Sequence, residues 1–393
     1  MIGGLFLFAF LAPGVWAQTY TVTNLDFTPK AINNRGDVVG ITGGMPNHAI
    51  LYTGGKLIDL GTLGAAGSAI AAGINDSGQI VGWAYPASGP ERSFLYSGGI
   101  LTDLGISGCD ANSINNSGQI VGSCGFGGFL YSSGSLLQSW SEFSANAINN
   151  VGQVAGTDLG AFLYSGGTMV SLGTFGGYAT AEGINDSGQV VGCAVTASSQ
   201  YRAFVYSGGS LIDLGTLPGN DSAFAYAINN SGQIVGCSAT AVWNNRSPFL
   251  YSNGSMIDLS KAAGTPLDCS IGGFKTMAIN SLGQIVVNAS PGYLLTPTAP
   301  PAPLTITSTT LPNATGGQPY STTLAASGGS YAGYTWSLLS DALPAGFSLS
   351  SSGVLSSSAG RAHHHLDCDG LRQQLDRRHH HRDDRRSASH NQR

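Results

Sequence analysis

Gly73-Ile74-Asn75-Asp76-Ser77-Gly78-Gln79-Ile80-Val81-Gly82 decides the reading of the chain, because the same ten-residue motif returns at Ala31–Gly40, Ser113–Gly122, Ala147–Gly156, Gly183–Gly192, Ala227–Gly236 and Ala278–Val287. Each copy contains Ile-Asn, with isoleucines at 32, 74, 114, 148, 184, 228 and 279, so the period runs from 34 to 51 residues. Repeats of that length signal an array of identical supersecondary units. Inside the motif, apolar residues flank Asn-Asn/Asp-Ser-Gly. The first Asn can bond its own backbone two residues on, and Gly at the fourth position tolerates positive φ. The pattern is a type I turn closed by a glycine bulge, between two short strands rich in Ile and Val.

A second hairpin alternates with the first. Phe94–Gly105 is its clearest copy, with further ones at Phe162–Gly173, Phe204–Gly215 and Phe249–Ser260, and weaker ones at Ile50–Gly61 and Phe129–Trp140. Aromatic and aliphatic residues flank a Ser-Gly-Gly turn, so each repeat supplies four strands. Thr21–Leu25 supplies the strand missing before the first motif, and Tyr293–Leu295 the one missing after the last. Seven four-stranded units then fill residues 18–297. A whole number of blade-sized units whose ends meet predicts an all-β, seven-bladed β-propeller, since radial closure protects the sheet edges. A β-solenoid is the competing architecture, although its repeats are usually shorter and more uniform.

Phe-Leu-Tyr-Ser-Gly-Gly (94–99), Asp-Leu-Gly-Thr-Leu (59–63 and 213–217) and Gly-Ile-Asn-Asp-Ser-Gly-Gln-Val-Val-Gly (183–192) together resemble the HAF-repeat family of extracellular bacterial proteins. The name-giving tripeptide is not conserved in its slot, which reads His48-Ala49-Ile50, Arg92-Ser93-Phe94 and Arg202-Ala203-Phe204. The resemblance implies secretion and repetition, and implies no catalytic activity.

Composition agrees with a turn-rich β protein. The 393 residues include 58 glycines and only 9% charged side chains, with a net charge of −5. Residues 361–393 hold 8 of the 16 Lys and Arg and 7 of the 8 histidines, which leaves a mildly acidic body. Without a basic face, the body is not expected to bind nucleic acid. Residues 1–17 read as a signal peptide, with an apolar core from Leu5 to Ala12 that is too short to span a bilayer. A secreted or cell-surface monomer with no membrane span is expected.

Beyond the repeats, residues 298–303 form a Pro-rich linker. Residues 304–360 resemble the start of an immunoglobulin-like domain, through Gly317-Gln318-Pro319-Tyr320, Tyr334-Thr335-Trp336 and Ser352-Gly353-Val354-Leu355, and are expected to be a partial β-sandwich. Residues 361–393 read as a frame-shifted, disordered tail. One base later, codons for His363–Gln374 can encode a Thr- and Val-rich strand of the kind such a domain lacks. The histidine runs therefore predict no metal function, and no cofactor is expected.

Six cysteines suit an oxidising compartment. Cys109 and Cys124 flank one Asn turn symmetrically and are a disulfide candidate. Cys193 and Cys237 occupy equivalent places in successive repeats, and their pairing is left open.

The connections between hairpins hold all the length variation, the long ones being Ala84–Arg92, Ala194–Arg202, Ser238–Arg246 and Lys261–Phe274. Variable loops gathered on one face mark a binding face. Its candidate ligand-binding residues are Tyr85, Arg92, Tyr178, Tyr201, Arg202, Trp243 and Arg246, aromatic and cationic groups suited to a glycan or a surface protein. Arg92, Arg202, Arg246 and His48 recur before the same strand and could form a cationic ring, or make one structural contact per blade. Asp59, Asp103, Asp213 and Asp258 recur too regularly to be catalytic and suit a turn or edge role. No triad or phosphate loop is evident, with His48 the only body histidine, so no catalytic residue is assigned. A binding propeller is the first expectation. A propeller enzyme acting on polysaccharide and a purely structural matrix protein are the alternatives.

Overall fold

A computed structural model describes residues 18–298, apart from 45, 65–66, 87, 126, 241–245, 270–276 and 290, and parts of 305–358. The expected signal segment, most of the linker and the tail lie outside the described residues. The chain divides into two compact units, Met1–Pro300 and Pro301–Arg393.

The first unit is a seven-bladed β-propeller. Its seven four-stranded antiparallel sheets are the blades. Blade 1 runs Thr28–Ile32, Val38–Ile41, Ala49–Thr53 and Lys56–Gly61, and blades 2 to 6 repeat that order. In each, the Asn-turn hairpin comes first and the Ser-Gly-Gly hairpin second. The first strands of successive blades pack against one another around a closed circuit, from Thr28–Ile32 through to Met277–Ile279 and back. The Asn-turn hairpin is therefore axial and the Ser-Gly-Gly hairpin peripheral. Blade 7 joins the chain ends: Met277–Ile279, Ile285–Val287 and Gly292–Pro297 take Tyr20–Leu25 as their outermost strand, in register from Tyr20 opposite Pro297 to Leu25 opposite Gly292.

The Asn turn holds its own hairpin and also links blades. Asn149 Oδ1 accepts from the backbone N–H of Val151 and Gln153, while its Nδ2 donates to Gln153 Oε1 and to the carbonyl of Asn185 in the next blade. Asn33, Asn75, Asn115, Asn149, Asn185, Asn229 and Asn280 repeat the interblade bond, and Asn280 returns to Asn33 O at 3.0 Å. The ring of seven bonds is closed and buried.

The inner strands of blades 1 to 6 carry a β-bulge two residues before the isoleucine, at Lys30, Ala72, Asn112, Asn146, Glu182 and Tyr226. A bulge inserts one unpaired residue and re-aims its side chain. Opposite each lies the glycine that ends the Val-Gly motif. A Cβ on Gly192 would collide with the Thr180 carbonyl, and one on Gly236 with Phe224 O and with the Phe249 ring. In blade 7, valine stands at this place, and Met277 pairs directly with Val287 without a bulge. The missing side chain is what admits the close approach.

Fully buried Phe94, Phe129, Phe204 and Phe249 fill the interblade core, with the inner-hairpin Val and Ile residues. Cys109 and Cys124 are disulfide-bonded. The bulge at Asn112 brings them opposite, by shifting the register between Ala111 and Ser113. Cys237 bonds Cys269, in the connection between blades 6 and 7, and Cys193 is a free buried thiol. In the second unit, Tyr320–Thr323, Val354–Ser357 and Phe347–Leu349 form a three-stranded sheet, and Thr305–Ile306 pairs with Ala326–Ser327.

Candidate functional site

The residues singled out on the variable-loop face divide into two groups. Trp243 lies outside the described residues. Tyr85, Arg92, Tyr178, Tyr201 and Arg202 sit in strands, because the hairpins of blades 2 and 5 extend through what the sequence suggested were loops: Ala84 pairs with Arg92 and Val195 with Tyr201. Arg246 lies immediately before the Ser247–Ser252 strand.

Three cations of the expected ring are engaged within their own blades. Each is opposed by the aspartate of its own peripheral hairpin. His48 Nδ1 lies 2.6 Å from Asp59, Arg92 Nη1 3.4 Å from Asp103, and Arg202 Nε 4.0 Å from Asp213. All three pairs span eleven residues, so the strand register makes them. The same aspartates accept the N–H two residues on, from Gly61, Gly105 and Gly215. Asp258 instead caps the short Leu259–Ala263 helix through Ser260 N. Exposed pairs of this kind contribute little energy. Tyr201 packs on Phe224 of the next blade at 4.9 Å between centroids. Tyr178 is 49% exposed beside it, and the Tyr201 phenol is among the groups that hold the Tyr178 hydroxyl above its usual range, after burial.

The concave site lies on the axis. A cavity of about 420 Å³ opens among the inner strands, on the variable-loop side of the motif isoleucines that stand behind the Asn-turn mouth. The bulged residues Lys30, Asn112, Asn146 and Glu182 line it, together with Trp83, Glu91 and Asp110 at its rim. Two of them are pinned. Asn112 Nδ2 donates to Ser123 Oγ and to Ala145 O, and Asn146 Nδ2 to Ala181 O at 2.7 Å. At the rim, the Tyr85 hydroxyl lies beside the Glu91 carboxylate and the Trp83 indole, and burial first, then Glu91, hold that hydroxyl above its usual range. Tyr85 is thus the sequence-selected residue that joins the axial site.

Glu91 lies beside Asp110. Burial first, and the Glu91 charge second, push the Asp110 carboxyl up to about 7. Its Oδ1 is buried and accepts no hydrogen bond from any described residue. Burial also holds Lys30 below the usual lysine range. The raised Asp110 value sets a sign: the folded state binds this proton more tightly than the unfolded chain, so the group weakens folding increasingly as pH rises from about 4 to about 7. Asp110→Asn is expected to raise the melting temperature at pH 8 by several degrees. The gain is on the order of 2 kcal/mol, after discount for partial solvation, and vanishes at pH 4. Thermal melts across that range check it; an equal shift at both pH values would show that Asp110 is not protonated as described.

The opposite mouth is different. Asn34, Asp76, Asn116, Asn150, Asp186, Asn230 and Ser281 ring a shallow polar opening. Each aspartate there is saturated by its neighbours: Asp76 accepts from Asn34 N, Asn34 Nδ2 and Asn116 Nδ2.

Sequence reasoning passed over Lys30, Asn112, Asn146 and Glu182 because a residue two before an isoleucine reads as strand interior. The signal available was the Val-Gly glycine, which marks the bulge. Among the described residues, no group of three or more His, Cys, Asp or Glu could hold a metal ion, and no helix is long and apolar enough to cross a membrane.

Comparison with known protein families finds no match, and comparison with curated proteins finds none. Among solved structures, the chain is similar to a streptogramin B lyase, at 12% identity and a TM-score of 0.46 over 71% of this chain and 98% of that one. It is also similar to the β-propeller domain of the Trilobed protease from Pyrococcus furiosus, at 9% identity and 0.44 over 72% and 93%. A gluconolactonase from Xanthomonas campestris follows, at 11% and 0.36 over 59% and 90%. Identities this low concern the fold alone.

Proposed function

We propose that this protein is an extracellular binding propeller that takes a hydroxyl-rich ligand, a glycan end, in the axial cavity of the variable-loop face. One observation carries the reading. The cavity is walled by amides, hydroxyls, carboxylates, a lysine and an indole, which suits a ligand with many donors and acceptors and a ring face. The peripheral cations are a weaker alternative, because their aspartates already engage them. The extracellular setting is supported by the N-terminal apolar segment, the family resemblance and two disulfides.

A glycan array with the full chain tests the proposal, followed by calorimetry on the hits. Glu182→Gln is expected to weaken binding about tenfold through a lost charge-assisted hydrogen bond. Arg92→Ala and Arg202→Ala are expected to change it less than twofold. The reverse ranking would move the site to the outer rim, and a blank array would remove the glycan reading.

A catalytic reading has one observation in its favour. A carboxyl held near 7 beside a second carboxyl is the setting of a general acid at neutral pH. Polysaccharide turnover that disappears in Asp110→Asn would establish it. Uniformly blank turnover assays would exclude it.

A further inference from the structure

We infer that the axial cavity selects a ligand bearing a primary ammonium group, an amino sugar, which the Glu91–Asp110 rim and Glu182 engage from two sides. This rests on the glycan reading of the same cavity and adds the charge of the ligand.

Three features of the site point this way. First, its lining is unbalanced: three carboxyl groups, Glu91, Asp110 and Glu182, share the cavity with one amine, Lys30. A cationic group relieves that imbalance, and an anionic one adds to it. Second, Asp110 Oδ1 is a buried acceptor that no described residue satisfies. Buried acceptors are ordinarily satisfied, and leaving one without a donor is costly. An ammonium group brings three donors and no acceptor, the complement of such an atom. Third, the neighbouring carboxylate has a polar and aromatic flank. The Tyr85 hydroxyl lies beside Glu91, with Trp83 beside Tyr85, so a ligand at the rim meets a carboxylate next to a phenol and an indole. Amide and hydroxyl groups of Asn112, Asn146 and Ser144 complete the lining and suit the hydroxyls of a pyranose better than an alkyl chain.

Proton linkage makes the idea measurable. The groups around Asp110 are Glu91 and Tyr85 from blade 2, with Lys30 and Glu182 lining the same cavity from blades 1 and 5. With its carboxyl near 7, Asp110 is mostly protonated at pH 6. An ammonium ligand binds the ionised form, so binding at pH 6 expels the proton into the buffer.

The test uses the full chain and a matched pair of probes, glucosamine trisaccharide and its N-acetylated counterpart. Titration calorimetry at pH 6, in two buffers of different ionisation enthalpy, reads affinity and proton release together. The glucosamine form is expected to bind at least tenfold tighter and to release close to one proton per ligand. Asp110→Asn is expected to abolish the release, and Glu182→Gln to weaken binding about tenfold while leaving the release in place. Tighter binding of the N-acetylated form would overturn the ammonium inference and leave the glycan reading standing. So would binding without proton release, or release that persists in Asp110→Asn. Tighter binding of Nα-acetyl-lysine amide than of glucosamine trisaccharide would reassign the site to lysine side chains and also overturn it. Failure of both sugars, with hits elsewhere on a glycan array, would sink the axial site itself.

Discussion

Asn149→Ala is expected to destabilise the propeller by about 4 kcal/mol, whereas Asn150→Ala, one residue away, costs about 1 kcal/mol or less. Asn149 is 3% exposed and its side chain makes four hydrogen bonds, one of which crosses to blade 5. Alanine would strand the carbonyl of Asn185 in the buried ring and the part-buried N–H groups of Val151 and Gln153 beside it. Each orphan costs about 1–3 kcal/mol, and partial rescue by water lowers the sum. The Asn150 side chain also reaches across blades, donating from Nδ2 to Asp186 Oδ2 and accepting at Oδ1 from the Asn116 N–H, but does so at the exposed mouth, where water replaces it. Urea titrations of both variants give the comparison. Equal costs would mean that the closed ring contributes no more than the solvent-exposed one beside it.

Loss of the closing strand should have a still larger effect. A chain lacking residues 1–26 is expected to melt at least 15 °C lower than one lacking residues 1–17, or to aggregate. Tyr20 and Leu25 are 7% and 2% exposed, and burial of two such side chains contributes about 4–5 kcal/mol before any ladder bond is counted. Deletion would also turn Gly292–Pro297 into an unprotected edge along its whole length. A synthetic peptide spanning residues 19–26 should restore part of the loss in a concentration-dependent manner, because the strand is contributed without covalent continuity at its pairing edge. A truncated chain melting within a few degrees of the longer one would show that six blades and an incomplete seventh hold the ring unaided.

Much of the peripheral chemistry was visible in the chain as spacing, although its meaning was not. His48 and Asp59, Arg92 and Asp103, and Arg202 and Asp213 are each eleven residues apart, on either side of a two-glycine turn. That spacing in a hairpin puts each aspartate opposite Ile50, Phe94 or Phe204 and the cation two residues before that partner, so the cations that suggested an anion-binding ring are diagonal neighbours of aspartates within their own blades. The strand extensions in blades 2 and 5 were hidden by Pro86, Pro90 and small residues, which read as loop.

What the sequence determined by itself was everything governed by local backbone chemistry: the Asn-Asn/Asp-Ser-Gly and Ser-Gly-Gly turns, the two alternating hairpins, their number and the need for the two chain ends to meet. Turn residues act through their own φ and ψ and the nearest few N–H groups, so their effect is written within a few positions. Only the tertiary structure decided which hairpin faces the axis, which partner Cys237 takes, and that Lys30, Glu91, Asp110, Asn146 and Glu182, drawn from five blades, line one cavity. Those outcomes depend on interblade packing across separations of 32 residues or more for the Cys237 bridge and the widest cavity contacts, and no short window of sequence encodes such distances.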